Sequence, residues 1–494
     1  MLSCRRPSGR PFAARFFPLL PVLLLLLLLL LATAAGSVSG GSGVLYTPVD
    51  GVTPLDFRQL RAAVYDPGRQ RHWLLQVYHA SCGHCIAYSG AFKKLASELW
   101  PWRYTLRIGV IDVAKQRNAR AMRHFGLSGV PSLLYVAPNC SWASGFSAAL
   151  PRDTSELPER LLDLMEPFVP QLRPLQPGET ADCDFILEEP RPGVLSRGLI
   201  LEALHVRSLR WRASVDSAPA VRLSRVAADG SSAPAGSASD AASLRRLIGL
   251  KQPTRPTPTG DTAPSSPKAP RPPTRADLKS ALIRALVSDV ALAGPGRPRV
   301  WRAARDVARL AAPLLPAAGR LAAAMPESLP AALAGEASAA IWQHLLAESG
   351  FPEKPPDNWV ACAGSRPYFR GYPCGLWQLF HSLTALRLKT GDAVAQPVAP
   401  VMRAFIVNCF SCSHCGRNFA RELADLPAEP MPARQELLWL WRLHNRVNHR
   451  LAGRPSEDPQ HPKVQFPPAA LCPRCGDSED AVVEFLTRWY SAAI

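Results

Sequence analysis

Cys82-Gly83-His84-Cys85 places two thiols three positions apart. Where such a pair opens a helix, the first sulfur meets unpaired backbone N–H groups and the positive end of the helix dipole, which favours its thiolate. The chemistry this permits is thiol–disulfide exchange, by thiolate attack through a mixed disulfide. His84 adds positive character between the two cysteines. The bland alternative is a buried structural disulfide. A zinc half-site is a weaker one, since no second ligand pair lies in the same segment.

A second group, Cys409-Phe410-Ser411-Cys412-Ser413-His414-Cys415, carries three cysteines. An iron–sulfur run of this type asks for a fourth cysteine where Phe419 stands. On spacing alone, zinc held by Cys412, Cys415, Cys472 and Cys475 stands nearly level with redox chemistry. The stretch from Trp439 to Leu451 tips the balance. At helical spacing, Trp441, His444, Asn445 and Asn448 share one face. A flat aromatic, an imidazole and two amides suit a heteroaromatic cofactor, where a core helix would carry Leu and Val. Gly41-Ser42-Gly43 lacks the third glycine and the preceding strand of a phosphate-binding fingerprint. A dinucleotide would therefore be held by a helical bundle.

These residues need elements to position them. Leu74–Tyr78 reads as a buried strand, the CxxC opens a helix running to about Trp100, and a strand follows over Leu106–Val113. A helix over Gln116–Phe125 and a strand over Ser132–Val136 complete a thioredoxin-like order. Pro131, after Gly129-Val130, is expected to be the cis proline of that fold. Residues 180–250 give a diluted α/β signal without a CxxC. Lys251–Arg275 is a Pro-rich linker, and beyond Ala276 the apolar spacing is helical.

Arg5, Arg6, Arg10 and Arg15 precede an apolar run from Phe16 to Leu31, followed by Ala32-Thr33-Ala34-Ala35. That is the order of a cleaved secretory signal, with an uncleaved anchor as the rival. Of the twelve cysteines, Cys4 leaves with the signal; in an oxidising compartment the rest read first as disulfides, with Cys140, Cys183 and Cys409 outside the close pairs. Net charge is +18, but the excess is scattered arginine with no basic–aromatic stripe, which argues against nucleic acid.

Residues 358–475 resemble the FAD-binding Erv/ALR sulfhydryl oxidase module. The likeness rests on Arg370-Gly-Tyr-Pro-Cys374-Gly-Leu-Trp377-Gln-Leu-Phe-His381 and on His444-Asn-Arg-Val-Asn448-His-Arg-Leu451. The CGHC segment resembles the disulfide isomerase branch of the thioredoxin family. Together they resemble the quiescin sulfhydryl oxidase family. The implied fold is multidomain, α/β plus all-α. The domains are a signal peptide (1–35), a thioredoxin-like domain (40–165), a degenerate thioredoxin-like segment (171–250), a linker (251–275), a helical domain (276–349) and the FAD-binding oxidase domain (350–480).

By the same resemblance Cys82, Cys85, Cys412 and Cys415 are catalytic, each pair forming a disulfide, and Cys362–Cys374 and Cys472–Cys475 are structural disulfides. FAD contacts fall to Arg370, Trp377, His381, His414, Asn418, Trp441, Arg442, Leu443, His444, Asn445, Arg446, Val447, Asn448, Lys463 and Phe466. Departures from the family pattern are Ser81 for Trp, Gln76 for a buried acid, Asn418 for His, Phe466 for Trp, and Val113 and Met122 where a further disulfide is expected. The implied activity is FAD-dependent thiol oxidation in the secretory pathway or outside the cell. Electrons pass from reduced client proteins through Cys82/Cys85 and Cys412/Cys415 to FAD and O2, giving H2O2, in a monomer with no membrane span after signal cleavage. The alternatives are a disulfide isomerase-like thiol chaperone with a weak oxidase domain, and a zinc-stabilised interaction protein.

Overall fold

The computed structural model describes residues 44–65, 71–118, 120–176, 178–179, 182–190, 193–214, 220–253, 266–330, 338–392 and 396–494, with the backbone alone of Gln116, Ser413 and His414. The expected signal (1–35) and the middle of the Pro-rich linker (254–265) lie outside the described residues. Among the described residues, no helix is long and apolar enough to cross a membrane.

The first sheet has five strands: β1 (Thr53–Leu55), β2 (His72–Tyr78), β3 (Leu106–Asp112), β4 (Ser132–Val136) and β5 (Ala148–Leu150), ordered β1-β3-β2-β4-β5. Every residue of β2 is buried, as a strand covered on both faces must be. It runs parallel to β3, pairing Tyr78 with Asp112, and antiparallel to β4. From the end of β2, His79-Ala80-Ser81 leads directly into helix α1 (Gly83–Glu98), with Cys82 as its N-cap. The Val130–Pro131 bond is cis.

A second sheet, β6 (Phe185–Glu189), β7 (Leu209–Ala213), β8 (Val221–Val226) and β9 (Ser232–Ala238), has the order β7-β6-β8-β9. Leu187, Trp211 and Leu223 from this sheet join one buried apolar cluster with Leu74, Phe92 and Leu134 of the first.

The rest is helical. Thr274 caps helix α2 (Arg275–Arg284) by accepting from the Asp277 N–H. The helix continues through a π turn (Ala285–Asp289) into Val290–Ala293. Later helices are α3 (Gly371–Thr390), α4 (Val398–Asn408), α5 (Ser413–Glu422), α6 (Ala433–Leu451) and α7 (Glu479–Ser491). Gly375 lets α3 approach α2: a Cβ there would stand 2.7 Å from the Trp359 ring and 3.0 Å from Ala281. Glu436, fully buried on α6, ties three helices together. It pairs with Arg387 of α3 at 2.6 Å and accepts from the Val398 and Ala399 N–H groups that open α4. The architecture is thus mixed α/β followed by an all-α part, as the sequence implied.

Candidate redox and cofactor site

Cys82 and Cys85 are thiols in this structure, not the disulfide that the resemblance implies. Cys82 Sγ stands 2.8 Å from Cys412 Sγ, inside non-bonded contact. Both cysteines are buried, at 1% and 0% exposure. A hydrogen bond from the Cys85 thiol holds the Cys82 thiol below its ordinary value, helped by the His84 and Cys85 backbone N–H groups and by Arg152. Burial pushes Cys85 well up. One cysteine is therefore set to attack and the other to keep its proton.

Cys412 and Cys415 form a disulfide at the start of α5. The Cys415 N–H points at Cys412 Sγ, 3.3 Å away. The sulfurs of Cys82, Cys412 and Cys415 all lie within 4.8 Å of one another. Two helix N-termini, each opened by a CxxC, thus meet end to end. Tyr368, Phe369 and Phe410 pack against the α/β core around them, and Ser456 lies over Gly83. The zinc arrangement is not formed, because Cys472 and Cys475 are bonded to each other and pack with Val482 and Leu486. Cys362 is bonded to Cys374. Cys140 and Cys183 remain thiols, the former beside Ser144 and the latter packed with Leu175 and Ile186.

An acid that sequence reasoning passed over fixes the Cys412 loop. Asp289, fully buried, accepts from the Tyr372 hydroxyl at 2.6 Å through Oδ2, its Oδ1 has no hydrogen-bond partner within normal reach, and Ser411 stands close enough to pull on the carboxyl. Burial raises its carboxyl to about 7. Its signal was an acid inside the apolar run Leu278–Leu292, where charge is rare without a partner. Cys409 is buried near Asp289, and burial pushes its thiol up. Burial and a raised thiol disfavour its thiolate.

Beyond α5, Phe419 meets Trp377 edge-on at 5.9 Å. Trp377 stacks on His444 with centroids 4.0 Å apart and planes 3° apart. His381 Nε2 lies 3.1 Å from His444 Nδ1, and its ring stacks on Tyr490. Burial lowers both imidazoles, His381 to about 3, so both are neutral.

Asn445 and Asn448 do not point at these rings. Asn445 exchanges two hydrogen bonds with Phe466, and Asn448 donates to the Val464 carbonyl. Trp441 Nε1 donates to the Phe466 carbonyl. These side chains clamp the 464–466 segment onto α6 and so position Lys463 and Phe466. Leu443 and Val447 are bundle core. Arg442 pairs with Glu479 and Arg446 with Asp425 at the surface. Asn418 accepts from Arg421, and the His414 side chain lies outside the described residues.

The residues present fit FAD. Arg370, held at φ 60° before Gly371, donates to the Ala361 carbonyl while its Nε is buried without a partner. Its guanidinium and the Lys463 ammonium are both lowered, first by burial; for Lys463 repulsion from Arg370 follows. Neither makes a carboxylate salt bridge among the described residues. Two crowded cations beside stacked neutral rings call for an anionic, flat partner. An open cleft of about 670 Å³ lined by Trp441, Arg442, Arg446 and Phe466 continues outward from the clamp, within the usual size of a cofactor site.

The Erv1/Alr family matches residues 374–467. Human sulfhydryl oxidase 1 is 31% identical over 496 residues, covering 89% of this chain and 65% of its own length. Human sulfhydryl oxidase 2 is 28% identical over 552 residues, covering 98% of this chain and 77% of its own. The chain thus spans about two thirds of the length of sulfhydryl oxidase 1. A solved sulfhydryl oxidase fragment of human QSOX1 is 30% identical, covering 44% of this chain and 95% of that one, with a TM-score of 0.39. The chain is thus similar to sulfhydryl oxidases along nine tenths of its length, and its residues 374–467 match the Erv1/Alr family.

Proposed function

We propose that the protein is a thiol oxidase that makes disulfides in client proteins of the secretory pathway or the extracellular space. The observation that carries this is the 2.8 Å approach of Cys82 Sγ to Cys412 Sγ, the outer sulfur of a disulfide. A client dithiol reduces a Cys82–Cys85 disulfide and leaves with its own disulfide formed. The Cys82 thiolate then attacks Cys412, breaking Cys412–Cys415 and releasing the Cys415 thiolate. Cys85 attacks Cys82 in turn, restoring Cys82–Cys85 and freeing Cys412. FAD, when bound, would supply two-electron oxidation of the Cys412/Cys415 dithiol and reduction of O2 to H2O2. Arg370 and Lys463 would neutralise the cofactor's negative charge, Trp377 and His444 would stack on its flat part, and Asn445 and Asn448 would hold the strap carrying Lys463.

At 1% exposure Cys82 is closed to a protein client in this arrangement. Client attack therefore needs the two CxxC helices apart, and the second exchange needs them together. The Pro-rich 251–275 stretch has the reach for such excursions, at about 3.1 Å per extended residue. The test is a visible absorption spectrum of the purified protein together with oxygen consumption on a reduced, unfolded protein. His444→Ala with Asn448→Ala should lose the flavin spectrum. A colourless wild type that consumes no oxygen would refute the reading.

A further inference from the structure

Cys85 carries a raised thiol in a site whose neighbouring strand lacks an acid. Gln76 on β2 is fully buried, and neither atom of its amide has a hydrogen-bond partner among the described residues. An amide cannot take the proton that Cys85 must lose before it attacks. A carboxylate does stand close by, on the adjacent strand. Asp112 ends β3 opposite Tyr78 and is 4% exposed. Consecutive backbone N–H groups point one at the sulfur and one at the acid: His79 N lies 3.5 Å from Cys85 Sγ, and Ala80 N 3.1 Å from Asp112 Oδ1. Oδ1 also accepts from Ala114 N at 3.0 Å.

We propose that Asp112 accepts the Cys85 proton in the step that resolves the Cys82–Cys412 mixed disulfide, the role that Gln76 cannot fill. The proposal rests on the relay described above. In balance, the Cys85 S–H proton goes to the Asp112 carboxylate. The Cys85 thiolate then forms a bond to Cys82 Sγ, and the Cys82–Cys412 bond breaks. The electron pair leaves with Cys412, and the carboxyl returns its proton as the thiols are reset.

The surroundings favour this acid over other groups. The groups facing the pair are Tyr46, Tyr78, His79, Cys82, Lys115 and Arg284. Burial raises both tyrosines, so neither competes as a base. His79 is pushed down to about 3 by burial and Arg284, and its Nδ1 already accepts from Ser81 N. Asp112 is raised to about 6 by burial, against the pull of two backbone hydrogen bonds, Lys115 and Arg284. It stays ionised at neutral pH yet is a far stronger base than an exposed carboxylate. Arg284, buried on α2, comes from the helical part. The Ala80 and Ala114 N–H groups and Lys115 favour the ionised Asp112 first, and Arg284 adds to them.

Asp112→Asn is the informative variant, since its amide oxygen can still accept from Ala80 and Ala114. The full chain is reduced by one dithiol equivalent, quenched in acid, and the Cys82–Cys412 adduct is followed by non-reducing peptide mass analysis across pH 5–9. In Asp112→Asn the adduct should persist at least tenfold longer than in wild type at pH 7. The wild-type inflection near pH 6 should vanish, and Gln76→Glu added to Asp112→Asn should restore both. Equal lifetimes and pH profiles in wild type and variant would overturn the proposal. So would a slowing that is uniform across pH and not rescued by Gln76→Glu, which marks a purely structural turn. Cys85→Ser separates the two levels: it must accumulate the adduct, and if none forms the relay itself fails, taking the proposal with it.

Discussion

Asp289→Asn tests whether the Cys412 loop hangs on a buried acid. The carboxyl titrates at about 7 in the folded chain, against an ordinary value of 3.8. Burial is the cause, outweighing the Tyr372 hydrogen bond, the nearby Ser411 and the charge of Arg284. With the folded value raised, the unfolded chain gives up this proton first. The group's contribution to stability is therefore full below about pH 4, falls as pH rises to about 7, and is level above that. The interval corresponds to about 4 kcal/mol at ~1.4 kcal/mol per pH unit. Asparagine keeps an oxygen for Tyr372 and Ser411 but cannot ionise. Near pH 4 the variant should match wild type or lose about 1–3 kcal/mol for an imperfect hydrogen bond. By pH 8 it should have gained about 4 kcal/mol relative to wild type. The assay is urea unfolding at pH 4, 6 and 8, taken as the difference between the two proteins, so that other groups, Asp112 included, cancel. Parallel stability–pH curves would show that Asp289 does not carry its charge in the dry site beneath Ser411.

Three further outcomes are expected. Glu436→Ala leaves two N–H groups at the start of α4 without an acceptor and Arg387 with only Asp392 and the Met431 carbonyl, and should cost about 2–4 kcal/mol in chemical unfolding; a loss below ~1 kcal/mol would show that the three helices do not depend on it. Cys412→Ser should leave a Cys415 thiolate giving a long-wavelength charge-transfer absorption, Cys415→Ser should abolish that absorption and turnover, and Cys409→Ser should leave turnover intact. Loss of turnover from Cys409→Ser alone would move the reactive pair by three residues. Cys82→Ser should nearly abolish oxygen consumption with a reduced unfolded protein and reduce it much less with a small dithiol at high concentration, because tethering makes delivery to Cys412 intramolecular; equal losses on both substrates would remove the relay.

What the sequence made legible was local. A buried run, a CxxC and a helix follow one another without a break, so β2 and α1 could be placed from order alone. The helices after 276 show in their apolar spacing because each buries one face. The contact between Cys82 and Cys412 joins residues far apart in the chain, and no spacing rule reaches it; only the resemblance pointed there. The polar residues that tune the site were illegible for a related reason. Asp112, Asp289 and Glu436 act through burial, and burial is decided by elements arriving from elsewhere. Asn445 and Asn448 show the ambiguity most clearly. They share a helix face, and that face was read as touching a flat ligand. Their amides hold the 464–466 backbone, and a helical period does not say whether such a face meets a ligand directly or through a strap.

That distinction bears on how the chain divides its work. Gln76, Asn418 and Phe466 differ from the family pattern at positions beside the reacting groups, yet each has a neighbour able to compensate. Asp112 stands on the paired strand opposite Tyr78, two register positions from Gln76. Asn418 is occupied by Arg421, while Phe419 keeps α5 against Trp377. Phe466 packs on Phe485 and Trp489, so the strap keeps its aromatic anchor without an indole. What the substitutions leave unchanged is placement: a lowered thiol, a disulfide 2.8 Å away, and a path of stacked rings behind it. Exchange through a mixed disulfide needs a thiolate, an in-reach sulfur and a leaving thiolate that can be stabilised. Each of those follows from a helix N-terminus, and the fold brings two of them together.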